Sequence, residues 1–324
     1  MATYVLRRLL FSIPVLFLAS VIIFFGVSAV SNPLSILQQQ PGVSEITIQN
    51  IAERKHLDEP IPVQYGYWVR DALTNRFGTN LFGDRAIWPE LRRSMWYTAQ
   101  LVVAAEIFAI GLAIAIGVVS AKRQYSWFDN LATTGSFVGF SIPIFWAALI
   151  LQVIFTNLYR ATGVRIFYTA GLSSVDPGTG LAFLVDRLQH LALPILALSI
   201  TSIAQYSRYM RTSMLEVLHS DYVRTARAKG LPERTVTSRH SLRNALIPLT
   251  TVIGWNLGVI FGGTIIIETV FGIPGMGRYF FTALSIRDVY PLMAWLMITA
   301  IVIIVFNLIT DIVYGYLDPR IRYD

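Results

Sequence analysis

The chain has 324 residues, of which 54% are hydrophobic and only 14% are charged, and it carries a net charge of +7. Soluble domains have about 25% charged residues, so this chain has too little charge to cover a globular surface, and much of it must face lipid. The abundance of apolar residues also excludes a disordered chain. The sequence contains no cysteine, which excludes disulfides and thiolate metal ligands.

Six apolar stretches are long enough to cross a bilayer, since a transmembrane helix needs about 20 such residues. They are Leu9–Val30, Thr98–Val119, Leu131–Leu158, Leu188–Ser207, Ala245–Ile267 and Leu292–Tyr316. We therefore predict an all-α integral membrane protein with six transmembrane helices. The third stretch is longer than one crossing requires, and we expect one tilted helix that kinks at Pro143.

Arg7 and Arg8 precede the first stretch, as basic residues precede the apolar segment of a signal peptide. That segment normally has about 7–15 residues, and Leu9–Val30 is clearly longer. We therefore expect a retained helix. The resulting division is an N-terminal transmembrane helix (1–30), an extracytoplasmic loop region (31–97), a domain of five transmembrane helices (98–316) and a cytoplasmic tail (317–324).

The distribution of basic residues predicts the orientation. If the N-terminus is cytoplasmic, the inner segments are 1–8, 121–130, 208–243 and 317–324, and Lys and Arg are about twice as dense there as in the outer segments. Because basic residues favour the cytoplasmic side, both termini are predicted to be cytoplasmic. The positive charge is thus spread over the loops and does not form the basic, aromatic-rich face of a nucleic-acid site.

The outer loop 31–97 is too long for a simple turn. Its segment Ile61–Leu73 follows Pro60 and predicts a short amphipathic helix, with Val63, Tyr67 and Trp68 on neighbouring turns. Two interpretations remain open for this loop: a small cap over the outer helix ends, or a docking surface for an extracytoplasmic partner.

The inner loop 208–243 predicts a helix of about two turns. Ser220 or Asp221 can cap its start, and Gly230 with Pro232 gives a strong stop signal. We expect a second helical stretch, Glu233–Asn244, to lead directly into the fifth span. The loop is either a solvated basic segment held against lipid headgroups or a docking element for another protein.

Glycines recur at near-helical spacing in the fifth span. They are Gly254, Gly258, Gly262 and Gly263. They allow close helix packing or line a translocation path. Glu106 is an intramembrane carboxylate and therefore a functional candidate by default, although the sequence shows no basic partner for it.

Several functions lack their sequence signals. The four histidines are scattered, so no metal site is expected. The chain contains no Gly-Lys pair and hence no phosphate-binding loop of the G-x-x-x-x-G-K type. An ion-coupled secondary transporter usually has inverted repeats, and an intramembrane hydrolase needs a Ser/His dyad or paired aspartates. We see neither pattern, and we expect no catalytic residue, cofactor or metal on this chain.

Ordered motifs along the whole chain resemble one family. They are Arg7–Leu10, His56–Pro60 with Val63–Tyr65, Ser141–Trp146, Asp221–Leu231, His240–Pro248, Glu268–Gly277 and Leu317–Arg322. Together they are similar to permease subunits of binding-protein-dependent ABC importers, in the dipeptide, oligopeptide and nickel branch, and specifically to the first permease of the pair. The general loop pattern of that superfamily begins Glu-Ala-Ala, whereas this chain has Arg224, Thr225 and Ala226, the form usual in the peptide branch.

The resemblance implies a type I ABC importer permease fold, with 98–316 as the permease domain. It also implies that 208–243 is a coupling loop whose helix docks on an ATPase subunit. Its implied contact residues are Asp221, Arg224, Thr225, Ala226, Arg227, Ala228, Lys229 and Gly230. Gly230 fixes the turn, and the small Ala226 and Ala228 would permit close approach.

The implied assembly contains a second, homologous permease, two ATP-binding subunits that hold ATP and Mg²⁺, and an extracytoplasmic solute-binding protein. Peptides are the implied substrate and a bacterial cytoplasmic membrane the implied location. Relatives that carry nickel, haem or glutathione leave those substrates open as alternatives.

Overall fold

The computed structural model of the protein describes residues 2–39 and 42–317, so the predicted tail 317–324 lies outside the described residues except for Leu317. Within these ranges the side chains of residues 2–5, 255, 258, 259, 261–263 and 314–317 are not described. The described chain is helical, with an isolated antiparallel bridge between Thr79 and Ala86. The predicted all-α class is confirmed.

The described residues form fourteen α-helices and a π-helical segment. The α-helices are α1 (Ala2–Val30), α2 (Pro33–Gln38), α3 (Glu45–Arg54), α4 (Ile61–Thr74), α5 (Ile87–Lys122), α6 (Trp127–Ser141), α7 (Ile144–Thr162), α8 (Leu181–Leu218), α9 (Asp221–Ala228), α10 (Glu233–Thr235), α11 (Leu242–Gly263), α12 (Ile265–Val270), α13 (Met276–Ser285) and α14 (Val289–Leu317). The π segment, Val236–Ser241, connects α10 to α11.

Five segments of the described chain are long and apolar enough to cross a membrane. They are Leu6–Gln38, Ile87–Lys122, Ile144–Thr162, Leu181–Leu218 and Val289–Val313. The remaining predicted span, Ala245–Ile267, is helical as α11 and α12, but part of it lies outside the described side chains. Its passage through the membrane stays a prediction.

The third predicted span is not one kinked helix. The helix α6 ends at Ser141, and α7 begins at Ile144 after Pro143, which occupies the N-cap position with φ −60° and ψ 133°. Ile142 is extended, with ψ 122°, as expected because a proline disfavours the α conformation of the preceding residue. The prediction of a single helix through Pro143 is therefore wrong.

The chain forms two compact units, and the first contains Met1–Thr98, Phe261–Ile265 and Pro274–Val305. The predicted amphipathic helix is confirmed as α4, which packs on α1. The face that it buries differs from the prediction, because Val63 is exposed while Trp68 is buried against Phe24 and Met293. Tyr65 supports this contact, since its hydroxyl lies 2.8 Å from the Ser20 hydroxyl.

A buried carboxylate joins distant segments of the first unit. Asp288 is fully buried, and its oxygens accept hydrogen bonds from the Leu81 amide, at 2.9 and 3.2 Å, and from the Tyr290 amide at 3.3 Å. Asp288 thereby caps the start of α14 and holds a residue 207 positions away in sequence. Burial raises the pKa of Asp288 to about 6.

The second unit contains residues 99–260, 266–273 and those from 306 onward. Its core is a small-residue face of α5 packed on larger residues of α8 and α11. The buried members are Ala109, Ala113, Ala121, Tyr206, Met210, Met214, Ala245 and Leu249. A Cβ on Gly117 would lie 2.6 Å from the Met210 Cβ and 2.9 Å from the Ser207 carbonyl oxygen. Glycine at 117 is therefore required by the close approach of α5 and α8.

The helix α8 extends well beyond the predicted span Leu188–Ser207. It runs from Leu181 to Leu218, 38 residues, which corresponds to about 57 Å at 1.5 Å per residue and exceeds a hydrocarbon core of about 30 Å. Arg211, predicted to lie in the inner loop, is in this helix. Its guanidinium forms a two-pronged ion pair with Asp129, with N–O distances of 2.6 and 2.7 Å.

We predict that Gly117→Ala destabilises the second unit. The added methyl overlaps α8, and such overpacking costs about 1–3 kcal/mol. In Gly111→Ala, a matched change in the same helix, the methyl meets nothing within 4 Å, so helix propensity alone applies and favours alanine by up to about 1 kcal/mol. Thermal unfolding in detergent should show a lower midpoint for Gly117→Ala only. Equal midpoints would contradict the close packing.

We predict a pH dependence of stability from Asp288. Its folded pKa of about 6 exceeds an unfolded value of about 3.9, so its protonation stabilises the fold fully below pH ~4. That stabilisation is lost as the pH rises to ~6, by about 3 kcal/mol. The neutral variant Asp288→Asn should lack this component. The stability difference between wild type and variant, measured by unfolding at pH 4 and pH 7, should shift by about that amount; a constant difference would contradict the raised pKa.

Candidate functional site

The helix α9 forms where the sequence predicts it. Ser220 is extended at the N-cap position, with ψ 152°, but its hydroxyl donates to the Val217 carbonyl at 2.6 Å and does not cap α9. At the other end the Gly230 amide donates to the Arg227 carbonyl at 2.9 Å, and Gly230 has φ +74°. This left-handed conformation favours glycine, which explains why the helix stops there.

The inward face of α9 builds a small core within the loop 208–243. Val223 and Ala226, three residues apart and hence on one side of the helix, are buried against Val236 of the π segment and against Val217. The expectation that Ala226 faces a partner protein is therefore wrong. A loop this polar needs its own apolar contacts, and Ala226 supplies one; Ala228 is exposed.

One of the basic side chains of α9 is engaged within the loop. Arg227 and Glu233 form two hydrogen bonds, Nη2 to Oε1 at 3.0 Å and Nε to Oε2 at 3.2 Å, which hold α9 to α10. The guanidinium also keeps the pKa of Glu233 below its usual range. Arg224 is only 3.8 Å from Asp221, and both are exposed. Such a surface pair contributes little.

The outward face of α9 is therefore defined by the remaining predicted residues. Asp221, Arg224, Thr225, Ala228, Lys229 and Gly230 are exposed. Of the predicted contact set, Ala226 points inward and Arg227 is paired inside the loop. The face that remains carries two exposed cations beside a small alanine, a geometry that another helix or groove can approach closely.

The second predicted helical stretch of the loop is confirmed with a local difference. Residues Glu233–Thr235 are α-helical, and Val236–Ser241 are π-helical before α11 begins at Leu242. Val236, Thr237 and Ser241 are buried. The loop 208–243 therefore continues into α11 without a break, and in the chain α9 lies between two long helices, α8 and α11.

Glu106 has partners that the sequence analysis did not identify. Its carboxylate is buried in α5 and accepts hydrogen bonds from Ser202 Oγ at 3.1 Å and from Tyr206 Oη at 2.9 Å. Ser202 and Tyr206 are four residues apart on an apolar helix, and this spacing of two hydroxyls on one face was the signal available in the sequence. Within the described chain, no Lys, Arg or His approaches Glu106 as an ion pair.

The four glycines of the fifth span do not have equivalent settings. Gly254 is buried, and a Cβ there would overlap the side chain of Thr310 in α14. Gly254 thus serves close packing, as expected for small residues between membrane helices. Gly258, Gly262 and Gly263 lie within α11, but their surroundings are outside what the structure describes.

The polar groups of the region 163–190 are held by neighbouring segments. His190 is buried, its Nδ1 donates to the Asp186 carbonyl at 2.8 Å, and its ring stacks on Tyr168 at 3.8 Å. Among the described residues, no group of three or more His, Asp or Glu side chains could hold a metal ion.

Comparison with known proteins adds family membership to this geometry. Residues 113–323 match the family described as binding-protein-dependent transport system inner membrane component. This region contains the loop 208–243, α8 and α11. It also contains the Glu268–Gly277 motif that follows the fifth span.

Curated relatives match along the whole chain. The dipeptide transport system permease protein DppB of Alkalihalophilus pseudofirmus is 38% identical over 341 residues, which cover 100% of both chains. The oligopeptide transport system permease protein AppB of Bacillus subtilis is 36% identical over 324 residues, again 100% of both. DppB of Escherichia coli K12 is 33% identical and covers 100% of this chain and 99% of that protein.

A solved structure supports the fold. A chain of the inward-facing MetNI methionine ABC transporter aligns with a TM-score of 0.51 and 16% identity, covering 70% of this chain and 96% of that chain. The predicted type I ABC importer permease fold is confirmed, and the protein is a multi-pass membrane protein. By its family match and its full-length relatives, the chain belongs to the inner-membrane permease components of binding-protein-dependent ABC importers.

Proposed function

We propose that the chain is the first permease subunit of an ATP-driven importer that moves di- or oligopeptides across a bacterial cytoplasmic membrane. The observation that carries this proposal is its similarity, along the full length, to permeases named for dipeptide and oligopeptide transport. The substrate is taken from the names of those relatives, and the membrane location from the family description, inner membrane component.

The outward face of α9 is the proposed docking surface for an ATP-hydrolysing subunit. Arg224 and Lys229 are exposed and can pair with acidic residues of a groove. The exposed Ala228 lets a partner backbone approach. Because the Arg227–Glu233 pair and the buried Val223 brace the helix, a push on this face moves α9 as a rigid body.

Energy would come from the partner chains. The sequence holds no Gly-Lys phosphate-binding motif, so ATP and Mg²⁺ would bind to two ATPase subunits. This chain would supply no catalytic residue. Both termini would be cytoplasmic, as the basic residues predict, which places the coupling loop on the side of the ATPases.

A second, homologous permease would complete the pathway, and an extracytoplasmic solute-binding protein would deliver the peptide. The proposed docking region for that protein is the outer segment 31–97, whose helix α4 is anchored on α1 through Trp68. Gly258, Gly262 and Gly263 are proposed to line the pathway. Gly254 is not included in this proposed lining because it packs against Thr310.

The proposal is tested by reconstitution. We expect the chain, co-expressed with its genomic neighbours and purified by a tag, to bring an ATPase subunit and a second permease with it. In liposomes, uptake of a labelled dipeptide should require ATP and the binding protein. An ATPase variant that cannot hydrolyse ATP serves as the control, and nickel in place of peptide tests the main alternative substrate.

The proposal has two distinct modes of failure. Peptide uptake by the purified chain alone, without ATP, would contradict an ABC importer and indicate an ion-coupled transporter. ATP-dependent uptake of nickel without uptake of peptides would keep the machinery and overturn the substrate.

We predict opposite phenotypes for two alanines of α9. Ala228→Trp places a bulky ring on the exposed face, so the permease should keep its thermal stability but lose at least tenfold in affinity for the ATPase subunit. Ala226→Trp forces the same ring into the core formed with Val223 and Val236, so it should lower the stability of the loop by about 1–3 kcal/mol.

Limited proteolysis of the coupling loop and pull-down of the ATPase subunit measure the two effects. Cleavage should accelerate for Ala226→Trp and stay at the wild-type rate for Ala228→Trp. If Ala228→Trp binds the ATPase as tightly as wild type does, the outward face of α9 is not the docking surface.

A further inference from the structure

A chain of hydrogen bonds, buried at Glu106 and partly buried at Asn256, continues from Glu106 to the glycine-rich helix. Tyr206, which donates to Glu106 Oε2, also accepts a hydrogen bond from Asn256 Nδ2 at 3.0 Å. The same Asn256 amide is 3.0 Å from Gln205 Oε1, to which it donates. Tyr206 is fully buried and Glu106 is 3% exposed. The three central residues belong to three different helices, α5, α8 and α11.

These residues lie at similar depths relative to the cytoplasmic ends of their helices, which are the C-terminal ends of α5 and α8 and the start of α11. At about 1.5 Å of rise per residue, Tyr206 lies about 18 Å from the end of α8, Asn256 about 21 Å from the start of α11, and Glu106 about 24 Å from the end of α5. All three residues therefore lie at comparable distances, about 18–24 Å along their helices, from these helix ends.

The hydrogen bond between Tyr206 and Asn256 joins the two ends of the chain segment 206–256. The two residues are 50 positions apart, and the segment between them contains the end of α8, the whole of α9 and the start of α11. Met210, Met214, Ala245 and Leu249 fill the space between the two helices toward the loop. Apolar packing of this kind is non-directional and allows the helices to slide, whereas hydrogen bonds at 2.9–3.1 Å fix their register.

Leaving this register is costly for the buried carboxylate of Glu106, because its hydrogen-bond partners among the described residues lie on α8. A buried donor or acceptor without a partner loses its full hydration, and water is absent from the bilayer core. Ser202 Oγ and Tyr206 Oη hold both oxygens of Glu106. The segment 206–256, which contains α9, is thus hydrogen-bonded through Tyr206 to α5 as well.

We propose that Glu106, Tyr206 and Asn256 are positioning residues that lock α5, α8 and α11 in register, so that a displacement of α9 reaches the glycine-rich middle of α11. The inference rests on the proposed function, since it assigns the route by which the coupling loop moves the pathway. It gives Glu106 a role that needs no basic partner. Asn256 lies two residues after Gly254, where the displacement arrives.

The test uses the complete importer in liposomes and measures peptide imported per ATP hydrolysed. Tyr206→Phe removes only the hydroxyl and keeps the buried ring. We expect it to lower the ratio at least fivefold, with ATPase activity within twofold of wild type. Glu106→Leu should do the same, and Glu106→Gln, which still accepts hydrogen bonds, should restore the ratio to within twofold.

A neighbouring interhelical hydrogen bond provides the matched control. Ser207 and Ser136 are 3.1 Å apart and join α8 to α6, not to α11. Ser207→Ala removes a buried hydrogen bond one residue from Tyr206, and it should leave the ratio within twofold of wild type. A purely structural role for Tyr206 would make the two variants alike.

A distance measurement keeps the proposal falsifiable if a variant assembles poorly. The sequence contains no cysteine, so spin labels on Thr225→Cys in α9 and Thr251→Cys in α11, both exposed, report their separation without background. The distance distribution of the purified permease should broaden when Tyr206→Phe is added. An unchanged distribution, or an unchanged import ratio, overturns the proposal.

Parallel loss of uptake and ATPase activity in Tyr206→Phe also overturns the register lock, because it indicates general damage. Failure of the wild-type importer to take up peptide with ATP overturns the proposed function and the inference together. Wild-type uptake with an unaffected Tyr206→Phe ratio overturns the inference alone.

Discussion

Water is absent from the core of a bilayer, so a carboxylate that this chain buries there is costly unless it finds partners within the protein. Within a helix the backbone amides and carbonyls are hydrogen-bonded to one another. A buried polar side chain can find its partner on a neighbouring helix. Glu106 shows the consequence. Its carboxylate has hydroxyl partners from α8 on both oxygens, and these bonds set how α5 and α8 meet. The close approach at Gly117 then lets the same two helices pack tightly nearer the C-terminal end of α5.

The loop 208–243 meets a different requirement, because it is polar and must be kept ordered by its own contacts. It achieves this with a minimal core of valines and Ala226 and with the Arg227–Glu233 pair. These contacts use the inward face of α9 and leave the outward face with Arg224, Ala228 and Lys229. Since α8 leads into the loop and the π segment leads from it into α11, α9 is connected closely along the chain to both long helices.

The sequence was sufficient for elements that depend on local chemistry. Apolar length located the first, second, fourth and sixth spans, Pro60 and Gly230 set the start of α4 and the end of α9, and ordered motifs identified the family. The sequence was insufficient where the outcome depends on distant residues. Tyr206 lies 100 positions from Glu106, and no local pattern indicates that they are in contact.

Two predictions are wrong, and each has a specific physical cause. The run Leu131–Leu158 is apolar throughout, so hydropathy does not show that the helix is interrupted at Ile142–Pro143. The resemblance implies that the small Ala226 contacts a partner, but Ala226 is buried in a cluster with Val223 and Val236. The domain boundaries at residues 31, 98 and 317 stay predictions.

The central claim is that the outward face of α9 contacts an ATPase subunit on the cytoplasmic side. The most direct measurement is site-specific cross-linking in intact cells, for which this cysteine-free chain is suited. A cross-linker on Ala228→Cys should yield an adduct with an ATPase subunit, and one on Ile46→Cys, exposed on the predicted outer segment, should not. No ATPase adduct at position 228, or an equal adduct at position 46, would contradict the account.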